Sequence, residues 1–299
     1  MTMLCNLLGA VINTVLDAVF VLGLDWKMTG AAWATVIGQV ISGTVAIVYL
    51  TRYKTVHLGL KHLRIRWQYT GKIIAIGMAS CINQLAMMIV QIVMNNLLKH
   101  YGALSVYGES NPIAVSGIVM KVNQITFSIV IGLGQGAQPI ISFNYGAKAY
   151  SRVRGAIRFM TQLAFGYTAL SWLLISLFPA AFIRIFNQDA AMLRAAIPSL
   201  HIYFFGFVMM AFQYSGQSTF KSLNRAGFAV FFSLLRKAFI VVPLTLVLPR
   251  VAGLGVNGVF AAEPISNLIG GLACYITMRC TVMRELEHRE SMQRGQTKK

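Results

Sequence analysis

Asn13 and Asp17 stand one helical turn apart in a mainly apolar run, residues 4–24. The spacing of four puts the amide and the carboxylate on one helix face, where both address the same point. A carboxylate in low dielectric either loads and releases a proton or coordinates Na⁺, because the bare charge is disfavoured there. The alternative role for Asp17 is that of a structural acid bonded to backbone N–H groups near the end of its helix. Two further ionisable groups interrupt apolar runs. Lys121 must face water, find a partner or snorkel to an interface. Glu263 precedes Pro264, whose ring frees a carbonyl in the preceding turn, so it either lines a cavity or caps that distortion.

Uncharged polar residues recur at helical spacing around these three groups. The stripes are Thr2, Asn6, Asn13 and Asp17; Thr35, Gln39, Ser42 and Ala46; Ser80, Gln84, Met87, Gln91 and Asn95. They continue as Gly117, Lys121, Gln124, Ser128 and Gln135; Gly206, Met210, Gln213 and Gln217; and Glu263, Asn267 and Gly270. A single hydroxyl or amide in a membrane helix is readily explained as glue between helices, worth about 0.6 kcal/mol. Long stripes on six of eight helices are more economically explained by a shared aqueous cavity, since polar groups facing lipid are costly. The candidate lining residues are Gln39, Gln84, Gln91, Lys121, Gln124, Gln135, Gln213, Gln217 and Glu263. Cys5, Cys81, Cys274 and Cys280 form no CxxC pair and read as small apolar residues, so the only metal considered is Na⁺ at Asp17.

The elements that must hold these residues are membrane spans. Of 299 residues, 57% are hydrophobic and only 11% charged, with a mean hydropathy of +0.65. Soluble domains carry about 25% charge, so a soluble enzyme, a disordered chain and a fibrous protein are all excluded. Windows of about 20 apolar residues occur at 4–24, 31–51, 73–97, 113–136, 157–180, 196–219, 228–249 and 256–278. The basic residues alternate between connections: 20 of the 26 Lys and Arg fall in 52–72, 148–158, 221–237 and 279–299. The positive-inside rule places those segments and both termini in the cytoplasm of a multi-pass inner-membrane protein. The net charge of +18 is therefore a topology signal and does not imply nucleic acid. No GxxxxGK[ST], GxSxG or HExxH motif is present, which disfavours ATP hydrolysis and enzyme chemistry and leaves an ion gradient as the energy source.

Gly30-Ala-Ala-Trp-Ala-Thr-Val-Ile-Gly-Gln39 and Gly258-Val-Phe-Ala-Ala-Glu-Pro-Ile-Ser-Asn267 resemble each other at an offset of 228 residues. Transporters are commonly built from such repeats, and this one places the start of a second repeat near residue 68 and of the first about 160 residues before Met1. The quoted stretches also resemble a known family. Asn13-Thr-Val-Leu-Asp17-Ala-Val-Phe20 with Gly30-Ala-Ala-Trp-Ala-Thr35 is similar to the fifth and sixth helices of multidrug and toxic compound extrusion (MATE) transporters. Ala18 replaces their usual Pro. Gly132-Leu-Gly-Gln-Gly-Ala-Gln-Pro139 through Lys148 resembles the eighth helix and its loop. Arg236, Pro243 and the run from Gly255 to Pro264 resemble the eleventh and twelfth.

The resemblance implies an all-α, polytopic MATE-like bundle with about eight helices. Residues 1–67 would carry the last two helices of the N-terminal bundle and the inter-bundle loop, 68–280 a six-helix C-terminal bundle, and 281–299 a basic cytoplasmic tail. It further implies a member lacking helices one to four, which exports cationic or amphipathic compounds across the plasma membrane in exchange for H⁺ or Na⁺. Such a protein needs no other cofactor, and its partners are small-molecule substrates and lipid. Asn13 and Asp17 match a cation-site pair of some branches, whereas Asn83, Gln84 and Met87 stand where other branches carry an acid. The alternatives are a flippase of lipid-linked saccharides and a non-transporting truncated remnant.

Overall fold

The computed structural model describes residues 2–52, 67–103, 111–251 and 254–297. Every element among them is helical, as expected for backbone in lipid, which must satisfy each N–H and C=O inside its own segment. The chain divides into two compact units, Met1–Thr70 and Gly71–Lys299. Lys54, Lys61, Arg64 and Arg66 of the expected cytoplasmic loop lie outside the described residues.

The first unit holds α1 (Thr2–Asp17), continued as a π-helix over Ala18–Gly23, and α2 (Lys27–Thr51). Their crossing is set by glycine. A Cβ on Gly38 would stand 3.0 Å from the Gly9 carbonyl oxygen, and one on Gly9 would stand 2.9 Å from Ser42 Cβ. Small residues thus let the two backbones approach, and the Ser42 hydroxyl donates across the contact to the Cys5 carbonyl at 2.9 Å.

After α3 (Trp67–Ala103), the second unit continues through α4 (Asn111–Gly146), α5 (Tyr150–Leu177) and the short α6 (Pro179–Arg184). Then come α7 (Ala190–Phe204) and α8 (Phe207–Ser222), followed by α9 (Ala226–Leu234), a π-helical stretch (Leu235–Val241) and α10 (Val242–Val247). The switch out of π geometry falls at Pro243, which has no N–H to donate to the turn before it. Last is α11 (Gly255–Met278), prolonged by a π turn (Arg279–Met283) into α12 (Arg284–Thr297). Six helices among the described residues are long and apolar enough to cross a bilayer, or seven if the bent pair α7 and α8 is one span. Together with α3, every apolar window expected from the sequence is filled mainly by helix, with breaks at Phe178 in 157–180 and at 205–206 in 196–219.

Two large apolar clusters and a small one, Val130 with Ala164 and Ala211, fill the second unit. One large cluster gathers Leu98, Val119, Ile175, Leu200, Phe204, Phe207 and Phe260, and the other gathers Ile141, Val153, Ile157, Phe220, Met278 and Leu286. Between them α8 and α11 meet backbone to backbone. The chain bends by 44° between α7 and α8, and a Cβ on Gly206 at that bend would lie 2.5 Å from the Pro264 carbonyl oxygen. Backbone atoms cannot swing aside as a flexible side chain can. Gly206→Ala is therefore expected to destabilise the protein by about 1–3 kcal/mol through overpacking, read as a lower melting temperature in detergent. An unchanged melting temperature would show that the bend tolerates displacement.

Many hydroxyls are satisfied within their own helix. Thr126, Thr161, Thr219 and Thr245 each donate to the carbonyl one turn earlier, at 2.8, 2.8, 2.8 and 2.6 Å. Others bridge helices: Tyr167 to the Thr126 carbonyl at 3.0 Å, and Ser142 to that of Ser222 at 2.8 Å. Single hydroxyls here are local satisfaction and interhelical glue. The stretch expected as a basic tail is itself helical through Thr297. Leu286 is buried, Arg154 Nη1 sits 3.2 Å from Glu290 Oε2, and Arg225 pairs with Glu285, so α12 is docked on the second unit.

Candidate functional site

The polar stripes of α1 and α2 face each other across a groove of about 670 Å³, whose lining includes Asn6, Asn13, Thr35, Gln39 and Ser42. The Asn13 amide donates from Nδ2 to Thr35 Oγ1 at 3.3 Å, and Thr35 donates in turn to the Ala31 carbonyl at 2.9 Å. Asp17 lies one turn beyond Asn13, where α1 passes into its π-helical continuation. Such changes of helical register occur often at functional sites. The Asp17 Oδ1 atom is closed off from solvent and has no hydrogen-bond partner among the described residues. Leaving a polar atom buried and unpaired costs about 1–3 kcal/mol. A carboxylate, an amide and a hydroxyl in close succession supply oxygen donors of the kind that suit a proton or a hard cation.

A second constellation lies inside the second unit. Arg236 and Lys237 come from the π-helical stretch, while Glu263 and Asn267 stand one turn apart on α11. Arg236 Nη1 and Lys237 Nζ both reach Glu263 Oε1, at 2.8 and 2.9 Å. Arg236 Nη1 also donates to Asn267 Oδ1 at 2.5 Å. Glu263 is 7% exposed and Arg236 8% exposed, so the pair is held away from water. Of the two roles open to Glu263 from its sequence, lining a cavity or capping the Pro264 distortion, neither names these partners. The missed residues are the cations. Arg236 and Lys237 fall at 221–237, among the positions counted as loop charge, yet they also lie inside the apolar window 228–249. A cation pair within a span, with a Glu inside the next one, is the signal that could have identified them.

The remaining candidates separate into two groups. Gln84, Gln91, Lys121, Gln124 and Gln135 are all exposed on the second unit. On α4 the whole stripe of Gly117, Lys121, Gln124, Ser128 and Gln135 is exposed on one face. Gln91 donates to Asn95 Oδ1 at 3.0 Å, and the Lys121 ammonium sits 5.9 Å from the centre of the Phe186 ring, within cation–π range. By contrast Gln213 and Glu263 are buried and Gln217 half-buried. The stripes of α8 and α11 therefore point into the unit, while those of α3 and α4 point out of it. Cys5 and Cys274 are buried and Cys81 and Cys280 exposed, all as free thiols. Among the described residues no group of three or more His, Cys, Asp or Glu could hold a metal ion.

Comparison with known proteins agrees with this architecture. "Multidrug export protein MepA" of Staphylococcus saprophyticus is 23% identical over 278 residues, which are 92% of this chain and 60% of that protein. MepA of Staphylococcus haemolyticus is 30% identical over 135 residues, 45% of this chain and 28% of that one. Among solved structures, an outward-facing MATE family transporter of the MOP superfamily aligns with a TM-score of 0.82 at 20% identity. A crystal structure of MATE in the straight conformation gives 0.83, also at 20% identity. Each alignment covers 97% of this chain and 63% of the other. The chain thus spans about three fifths of the length of the Staphylococcus saprophyticus protein and of the two solved structures. The MatE family model matches residues 79–247, more than half of the sequence, and the chain belongs to that family of multidrug efflux transporters, which are not enzymes.

Proposed function

We propose that this protein takes part in export of cationic or amphipathic compounds across the plasma membrane, driven by inward movement of H⁺ or Na⁺. The observation that carries the reading is the buried Asp17 oxygen without a partner among the described residues, one helical turn from the Asn13–Thr35 hydrogen bond. A carboxylate so placed gains a partner when it takes a cation and loses it on release, which is what a coupling site requires. The exposed polar face of α3 and α4, with Gln84, Gln91, Gln124 and Gln135, supports a water-filled solute path, because polar groups facing lipid are costly. Lys121 is the one cation in that stripe, few for a path that would handle pyrophosphate-linked saccharides.

The test uses everted membrane vesicles from an efflux-deficient bacterium expressing the protein from its native gene. Uptake of a cationic dye is expected on imposing a pH or Na⁺ gradient and is lost on collapsing it. Dye movement that ignores both gradients would overturn cation coupling.

The orientation rests on the distribution of basic residues and places both termini in the cytoplasm. Single cysteines at Lys27, Lys99, Ser151 and His288, all exposed positions, would be introduced after replacing the native cysteines. An impermeant thiol reagent applied to intact cells is expected to label 27 and 99 but not 151 or 288. The reverse pattern would invert the topology.

A further inference from the structure

The cluster in the second unit is out of charge balance. Arg236 and Lys237 carry two positive charges and share a single carboxylate, Glu263, through one of its oxygens. The formal sum is one uncompensated positive charge in the interior of membrane-spanning helices, where such a charge is costly. The hydrogen-bond inventory is unbalanced in the same direction. Arg236 Nε and Asn267 Nδ2 are both closed to solvent and have no partner among the described residues. These two donors belong to side chains already joined by the Arg236 Nη1 to Asn267 Oδ1 bond. The arrangement is held from behind: the Arg236 stem packs on Gly270, where a Cβ would come within 3.0 Å of Cγ.

We infer that Arg236, Lys237 and Asn267 form a binding site for a small monovalent anion. A water molecule would satisfy the two orphan donors but leave the charge. An acceptor with one negative charge satisfies both requirements, and charge-assisted hydrogen bonds of this type are about twice as strong as neutral ones. A dianion such as sulfate would reverse the imbalance and would lose more hydration on entering a closed site. The chemistry required is that of chloride, or of the carboxylate of an organic solute. The inference does not depend on Asp17, which lies in the other unit, and it is read by binding rather than by transport.

The experiment measures the melting temperature of the purified protein in detergent as chloride replaces isethionate, a bulky monovalent sulfonate without a carboxylate, at constant ionic strength, with acetate as a parallel arm. A saturable rise with chloride is expected, because an ion that binds only the folded state stabilises it by mass action. Response to chloride alone assigns a halide-sized site, and an equal response to acetate assigns one that also takes a carboxylate. Lys237→Met leaves Arg236 and Glu263 as a neutral pair and should weaken the half-saturating concentration by about tenfold or more. Lys237→Arg keeps the charge and should stay within about threefold of the wild type. The proposal is overturned if the wild type shows no saturable chloride response, or if Lys237→Met titrates as the wild type does.

Discussion

Asp17→Asn is expected to reduce gradient-driven export to the level of cells lacking the protein, while leaving the protein as stable as the wild type or more so. The amide keeps the volume of the carboxylate, so α1 and its π-helical continuation have no reason to repack. What the amide cannot do is alternate between a charged and a neutral form. The buried Oδ1, without a partner among the described residues, is a cost in the resting protein, and removing the charge relieves part of it, the usual sign of a site in which stability has been exchanged for activity. Asn13→Ala should act in the same direction with a smaller effect. It deletes one neutral hydrogen bond, to Thr35, worth about 0.5–1.5 kcal/mol, and so lowers cation affinity by roughly two- to tenfold. Both are measured as dye export in vesicles at matched membrane abundance, with melting temperature as the control. Export at the wild-type rate by Asp17→Asn would reduce Asp17 to a structural acid.

The fold was readable from apolar run length because lipid leaves the backbone little choice but helix. The eight windows therefore recur as helix, and α7 with α8 fills one window as a bent pair. Breaks inside a span were less readable. Nothing in residues 196–219 marks 205–206 as a bend except Gly206, whose role depends on Pro264 some sixty residues away. The direction of each polar stripe was not readable at all. Periodicity gives a face but not which neighbour that face meets, so Gln213 and Gln124 look alike in sequence although one is buried and the other exposed. The same limit hid the partners of Glu263. Window averaging treats 228–249 as apolar, and a cation pair inside it passes as loop charge until α11 brings a carboxylate to within 3 Å.

The buried cluster also yields the largest expected loss of stability. Glu263→Leu leaves Arg236 and Lys237, at 9% and 13% side-chain exposure, without the carboxylate they share. Removing one member of a buried ion pair costs about 3–5 kcal/mol, because the survivor stays desolvated and unpaired. Here one carboxylate serves two cations, so the upper end of that range is expected, enough to deplete the folded protein from membranes. The cost is one of imbalance rather than of lost attraction, and a second variant separates the two. Replacing all three charges at once, Glu263→Leu with Arg236→Met and Lys237→Met, removes every uncompensated group and should recover most of the stability, since apolar replacement of whole buried ion clusters is neutral or favourable by about 1–4 kcal/mol. Both proteins would be titrated with denaturant in detergent, following the fluorescence of the four Trp residues. If the triple variant unfolds as early as Glu263→Leu, the carboxylate stabilises α11 by shape rather than by balancing charge. If it recovers while losing the chloride response of the wild type, the cations are in place to hold an anion rather than to hold the fold.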